Sequence, residues 1–367
     1  MPLPKPHIET DSFFHETPSS SSSSISYPTT IYFITGNPGL ISYYHTFLSL
    51  LAAKLSSTKL PGLSPDLCPV HILGHSLAGF ELEKENDEPE KKNVHYYNVE
   101  EQILHVQKRI QKHILTLREH IAAKNTTEKP KVILIGHSVG SYIAMEVLRR
   151  HREAHAHAHV NATSAPESDS DSNFDITAGI LLFPTVMDIA MSPSGRKLTF
   201  LLSMMPNLAL VVSFLAKVLT SLLSAFILRA VISLVMKNPP TEARDATVRF
   251  LESRRGVRQA LYMATDEMRV ISSDKWSDDV WGVSAASVKD SRGQPLPPAQ
   301  LYFYFGRNDH WVAERTREEI VAARGGSKAG AGPRMVVCEE SVPHAFCLRH
   351  NEVMARKVAD MLGEILN

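Results

Sequence analysis

The stretch Lys131-Val132-Ile133-Leu134-Ile135-Gly136-His137-Ser138-Val139-Gly140-Ser141-Tyr142 decides how this chain is read. Val132 to Ile135 is an unbroken run of branched apolar residues of strand length, the pattern of a strand buried on both faces of a parallel sheet. The run stops at Gly136-His137-Ser138-Val139-Gly140, which fits GxSxG, and apolar positions return at helical spacing from Tyr142 to Arg149. Strand, glycine-flanked turn and helix are the frame of a nucleophile elbow. Gly136 and Gly140 permit the sharp turn, and Ser138 is lifted to the carboxyl end of the sheet with His137 beside it.

The same alternation extends outward. Ile31-Tyr32-Phe33-Ile34 predicts a strand ending at the turn Gly36-Asn37-Pro38-Gly39, and Tyr43 to Leu55 predicts a helix. Val70 to Leu73 predicts a second strand, Glu81 to Lys92 a solvated charged loop, and Asn98 to His120 an amphipathic helix. Ile176 to Phe183, Leu301 to Phe305 and Met335 to Cys338 complete the strands, with helices over Ala313 to Ala323 and Asn351 to Leu366. Hydrophobic strands alternating with helices imply a doubly wound, mostly parallel α/β sheet. Residues 1–30, with the serine run Ser19 to Ser24, read as a flexible polar leader. The core then occupies 31–185 and 291–367, with a low-complexity insert at 151–173 and a helical, strand-free insertion at 186–290.

Composition narrows the function. Hydrophobic residues make up 43% and charged residues 21% of the 367, ordinary values for a packed core. Thirty-nine basic residues balance thirty-nine acidic ones, so no concentrated positive face draws in nucleic acid. Cys68, Cys338 and Cys347 are too scattered for a disulfide framework or a thiolate metal site, and the polar N-terminus lacks the apolar core of a secretory signal, so secretion is not expected. No obligate protein partner is evident.

A serine hydroxyl needs a base oriented by an acid, in the chain order Ser, Asp or Glu, His for an elbow of this kind. His344, in Val342-Pro343-His344-Ala345-Phe346, follows the last strand and precedes the closing helix. Asp309, in Gly306-Arg307-Asn308-Asp309-His310-Trp311, follows the strand before it. Both positions fall at the carboxyl edge of the sheet, whereas the clustered His151, His155, His157 and His159 are expected far from any sheet terminus. A second serine, in Gly74-His75-Ser76-Leu77-Ala78-Gly79, also follows a strand, but a charged tract replaces the helix an elbow needs. For the oxyanion, Val139 N–H is one expected donor. The other comes from the first loop, where Pro38 has no N–H, leaving Asn37 or Gly39 with Asn37 preferred.

Tyr32-Phe33-Ile34-Thr35-Gly36-Asn37-Pro38-Gly39-Leu40-Ile41-Ser42-Tyr43-Tyr44 resembles the opening signature of the lipid droplet-associated hydrolase family, a branch of the α/β-hydrolase superfamily. Gly136 to Gly140, Leu182-Phe183-Pro184-Thr185, Ser192-Pro193-Ser194-Gly195-Arg196, Gly306 to Trp311 and Pro343 to Phe346 agree with it. The resemblance implies an α/β-hydrolase fold with a helical hydrophobic cap. It also implies a serine esterase acting on lipid esters, sterol or acylglycerol, at lipid droplet or endoplasmic reticulum surfaces on the cytosolic side, with Ser138, Asp309 and His344 as its triad. The serine-rich leader, the histidine-rich insert and the loop Gly325 to Pro333 depart from the family pattern without touching that site. Two other readings stay open: a droplet-surface protein that tethers or remodels lipid with a relic triad, and an acyltransferase.

Leu198 to Ala216 carries no charge and nearly reaches the ~20 residues of a spanning helix. Because strands lie on both sides of it, a single span would split the sheet across the membrane. Two readings remain: cap helices over the active site, or a monotopic hairpin dipping into a lipid monolayer, with Leu202, Leu210, Phe214, Leu222 and Phe226 as contacts and Lys217 and Arg229 snorkelling. His155-Ala156-His157-Ala158-His159 offers three imidazoles to a metal if extended, but reads as low-complexity loop. No metal or organic cofactor is expected.

Overall fold

A computed structural model describes residues 5–18, 26–57, 69–82, 94–121, 128–161, 173–283, 296–325 and 332–366. Within these, eight strands form one sheet: β1 (His7–Glu9), β2 (Ser12–Glu16), β3 (Thr29–Ile34), β4 (Val70–His75), β5 (Lys131–His137), β6 (Asp175–Leu182), β7 (Gln300–Gly306) and β8 (Arg334–Cys338). They lie in the order β1-β2-β4-β3-β5-β6-β7-β8. From β4 across to β8 every pairing is parallel; β1 and β2 add antiparallel strands at one edge.

Helices cover both faces, as buried hydrophobic strands require. On one side α1 (His45–Leu55) and α10 (Asn351–Leu366) pack through Phe47, Leu51, Met354 and Val358 against Ile31, Phe33 and Ile135. On the other, α2 (Val99–Ile121) and α3 (Val139–Asn161) bury Ile103, Val106, Ile110, Ile143 and Val147 against Leu134 and Phe303. The last α/β unit uses α9 (Glu314–Arg324). Between β6 and β7 the insertion forms α4 (Pro193–Met204), α5 (Leu208–Leu222), α6 (Ala225–Val235), α7 (Thr241–Glu252) and α8 (Gly256–Val270). No single helix among the described residues is long and apolar enough to cross a membrane; α4 and α5 pass that test only together, bent by 95°.

Two expectations are corrected. The leader is not uniformly flexible. Ser12-Phe13-Phe14-His15-Glu16 alternates, with Phe13 fully buried, and pairs with β4. Averaged polarity hid a period-two segment too short to dominate the composition; the serine run lies outside the described residues. The turn at Asp11 also explains the second serine: Ser76 Oγ donates to Asp11 Oδ1 at 2.9 Å and Ile41 N–H donates to Ser76 Oγ at 3.3 Å. That hydroxyl pins the edge hairpin to the sheet.

The insert at 151–173 does not begin as a loop. Helix α3 runs on to Asn161, helped by alanines and by the Arg149–Glu153 ion pair one turn apart at 2.6 Å. His151 and His155 are buried against the amino end of β6, so they sit at a sheet terminus after all, the one opposite the elbow. Arg152, also buried, clamps Asp279 with two bonds of 2.5 Å and donates to the Pro297 carbonyl at 3.0 Å. This ties the chain leaving the helical insertion back onto the sheet's covering helix. Most of the charged tract from Glu81, residues 162–172, the side chains of His157 and His159, and residues 326–331 fall outside the described residues.

Candidate active site

Close backbone packing builds the elbow. A Cβ on Gly136 would stand 2.4 Å from the Gly140 carbonyl oxygen, and one on Gly140 would stand 2.4 Å from that of Ile34. Only hydrogen fits at either position, so α3 leaves β5 at contact distance from β3. Between them Ser138 takes φ 55°, a left-handed conformation that costs of order 1–3 kcal/mol in a residue other than glycine. Its N–H donates to the Leu182 carbonyl at 3.0 Å, tying the turn to β6.

The strand ends then deliver the other groups. After β7, Asp309 accepts the Trp311 N–H at 2.8 Å, and after β8, His344 descends beside the elbow. His344 Nδ1–H donates to Asp309 at 2.7 and 2.9 Å, which leaves Nε2 as the acceptor for Ser138 Oγ–H at 2.9 Å. Asp309 and His344 are both buried. The three residues predicted from strand ends thus meet, 206 positions apart at the widest.

A relay under His344 was not legible. Gly36 N–H donates to Tyr44 Oη at 3.2 Å, Tyr44 O–H to His137 Nδ1 at 2.8 Å, and His137 Nε2–H to the His344 carbonyl at 2.9 Å. Burial, then the nearby His344, pushes the His137 pKa well below its usual range, so the ring is a neutral strut holding the His344 backbone. Nearby, Ser194 of α4 hydrogen-bonds His310 Nδ1 at 2.9 Å, joining the insertion to the loop that carries Asp309. Tyr44 stands in the opening signature, but no local pattern gives it a role.

Val139 opens α3 directly after Ser138, so its N–H has no preceding helical carbonyl to meet and stands at the positive end of the helix. Asn37 lines the cavity beside Ser138, and its side chain reaches the insertion: Asn37 Nδ2 donates to the Ala260 carbonyl at 2.9 Å and to Glu267 Oε1 at 2.8 Å. Glu267 is wholly buried, and that burial raises its carboxyl pKa to about 8 against the smaller, opposing effect of the Asn37 bond. Sequence gives no sign of this contact, which spans 230 positions. The cavity of about 450 Å³ above Ser138 has a mainly apolar lining, including Leu198 of α4, Leu261 and Ala264 of α8, Met236 and Leu348. Leu202 is half-buried, while Leu210, Phe214, Leu222 and Phe226 face outward.

Glu267 gives a signed test. Its raised pKa means the folded chain holds a proton the unfolded chain has released across the window from about pH 4.5 to about 8, so its contribution to stability declines as pH rises through that window. Glu267→Gln keeps the acceptor for Asn37 without the ionisation. Thermal melts should superimpose for the two proteins near pH ~5 and diverge near pH ~8.5, with the variant the more stable by on the order of 2–5 kcal/mol. Equal pH slopes would refute the assignment of a protonated Glu267.

The sequence profile of the lipid-droplet associated hydrolase family matches residues 27–347. The chain is similar to the lipid droplet-associated hydrolase of Gallus gallus, 26% identical over 345 residues covering 91% of this chain and 84% of that one. Similarity to the Rattus norvegicus protein of the same description is 27% over 342 residues, covering 92% and 85%. Among solved structures, the peroxisomal α/β-hydrolase Lpx1 of Saccharomyces cerevisiae superposes with a TM-score of 0.53 at 11% identity, covering 100% of this chain and 85% of that chain, a likeness of fold. Parallel sheet, elbow and inserted helices make this an α/β-hydrolase fold, and the chain belongs to the lipid-droplet associated hydrolase family.

Proposed function

We propose that the protein is a serine hydrolase that cleaves carboxylic esters of lipids, sterol esters or acylglycerols, at the surface of lipid droplets or the cytosolic face of the endoplasmic reticulum. The observation that carries this reading is one imidazole bonded on both sides, to Ser138 Oγ at 2.9 Å and to Asp309 at 2.7 Å. In the first step Ser138 Oγ bonds to the ester carbonyl carbon while its proton passes to His344 Nε2. Asp309 holds the imidazolium, and the Val139 and Asn37 N–H groups receive the oxyanion. Collapse expels the alcohol, which takes the proton from His344. Water, activated by the same nitrogen, then attacks the acyl-enzyme and releases the acid.

The lipid part of the reading draws on three supports. The relatives are named for lipid droplets, and the cavity over Ser138 is mainly apolar. The outer faces of α5 and α6 leave Phe214, Leu222 and Phe226 at 66, 78 and 82% exposure. Several large apolar side chains left exposed on neighbouring helices mark a surface that docks on something apolar. Helices α4 and α8 line the cavity, and α5 packs on α8, so docking through α5 and α6 would hold the cavity near the lipid.

Incubation with a fluorophosphonate should label the full-length protein at Ser138. Ser138→Ala should abolish labelling and reduce ester hydrolysis by at least about 10³-fold, whereas Ser76→Ala should retain both. A parent protein that folds but resists the probe would sink the hydrolytic reading in favour of a non-catalytic surface protein. For docking, the paired change Phe214→Asp and Phe226→Asp should reduce co-flotation with phospholipid-coated triacylglycerol droplets at least about tenfold, with kcat/KM for a short soluble ester unchanged. Undiminished flotation would remove α5 and α6 from the account.

A further inference from the structure

The far half of α3 carries a second constellation. His151 and His155 stand one helical turn apart, so both rings leave the same face. That face packs on the start of β6: His151 stacks on Phe174 with ring centroids 4.6 Å apart and meets His155 edge-on at 4.6 Å. Asp175, the first residue of β6, brings its carboxylate to the same point. One ligand atom from each of the three side chains lies within 4.8 Å of the others.

Unpartnered polar atoms at this point are an independent sign of a ligand. His151 and His155 are 5% and 1% exposed, yet His151 Nε2, His155 Nε2 and Asp175 Oδ1 are buried atoms with no hydrogen-bond partner. Each orphaned polar atom costs about 1–3 kcal/mol. All three belong to the side chains whose ligand atoms lie within 4.8 Å of one another. Both rings instead interact with the Phe174 backbone, the kind of bond at one nitrogen that fixes the tautomer and frees the other for a metal. Burial, ahead of the charges on neighbouring residues, pushes the pKa of His151 down to about 3 and lowers that of His155. The rings therefore stay neutral, the form that ligates.

We propose that His151, His155 and Asp175 form a binding site for a divalent transition-metal cation of the zinc type. Two imidazoles and a carboxylate are ligands such ions accept, with water completing four-coordination. Tetrahedral bonds of about 2.0–2.1 Å place ligand atoms about 3.3–3.4 Å apart, so from a spread of 4.8 Å the side chains would close in by up to about 1.5 Å on loading. Of the cations nearby, Arg152 is neutralised by Asp279, which leaves Lys129 and Lys131, the latter opposite Asp175 in the β5–β6 ladder, as the positive groups around the site. A cavity of about 740 Å³ lined by His151, Asp175, Thr29 and Pro297 provides entry. Asp175 pairs with Lys131, at the opposite end of the β5–β6 ladder from His137 and Leu182. The cation therefore clasps α3 to β6 and is remote from Ser138.

Full-length protein stripped with a chelator should be titrated with Zn²⁺ by calorimetry and with Co²⁺ by visible absorption. The expected result is one equivalent of Zn²⁺ bound with Kd of about 1 μM or tighter, ligand-field bands from Co²⁺, and a higher unfolding midpoint on loading. Asp175→Asn, which preserves shape, and His155→Ala should each weaken Zn²⁺ binding at least about tenfold. Ser138→Ala and the pair His157→Ala and His159→Ala should titrate like the parent, separating this site from the proposed triad and from the rest of the histidine run. Absence of stoichiometric binding would overturn the proposal, as would parent-like titration of both ligand variants or loss of binding in the His157/His159 pair.

Discussion

One imidazole, engaged at both nitrogens, is the constraint on which the site depends. His344 can accept from Ser138 only if its other nitrogen is protonated, and Asp309 secures that by accepting the Nδ1 proton at 2.7 Å. The two contacts fix the ring in position and tautomer together. They form only because the strands feeding Ser138, Asp309 and His344 all end at one edge of a parallel sheet. Beneath, the Tyr44–His137 relay fixes the His344 backbone as the carboxylate fixes its ring. The strain at Ser138 is held by neighbours packed too closely for any residue but glycine at positions 136 and 140.

The helical insertion resolves two demands at once. Its inner residues, Leu198, Leu261 and Ala264, roof the cavity, while outer ones such as Phe214 and Phe226 remain in solvent. Cap and lipid-contact readings of the insertion are therefore not exclusive: α4 and α8 line the cavity, and the exposed apolar residues of α5 and α6 remain available for the proposed docking. Glu267 couples the insertion to the site. Its carboxyl holds Asn37, beside which the proposed oxyanion would form, so together with the Ala260 carbonyl it links the roof to the first loop.

How much of this could be read from the chain follows from the range of the interactions. Strand–turn–helix around Ser138 is a local pattern, and strand ends are local too, so the sheet and the positions of Asp309 and His344 were legible. The Tyr44–His137 relay and the Asn37–Glu267 bond were not, because each joins residues 93 or 230 positions apart with no motif between them. Two segments misled for a different reason. Ser12 to Glu16 and the continuation of α3 carry compositions that resemble loops, but one alternates and the other presents His151, Arg152 and His155 to a buried surface. Composition averages over faces; packing does not.

Chemical competence of the convergence at His344, with N–H donors ready for an oxyanion, is what the proposed hydrolysis requires. A crystal structure of the protein after reaction with an alkyl phosphonate ester tests it most directly. The expected adduct has phosphorus bonded to Ser138 Oγ, His344 still in contact with Asp309, and the phosphonyl oxygen about 2.7–3.1 Å from the N–H groups of Val139 and Asn37. An adduct on another residue, or a phosphonyl oxygen turned away from Val139, would contradict it.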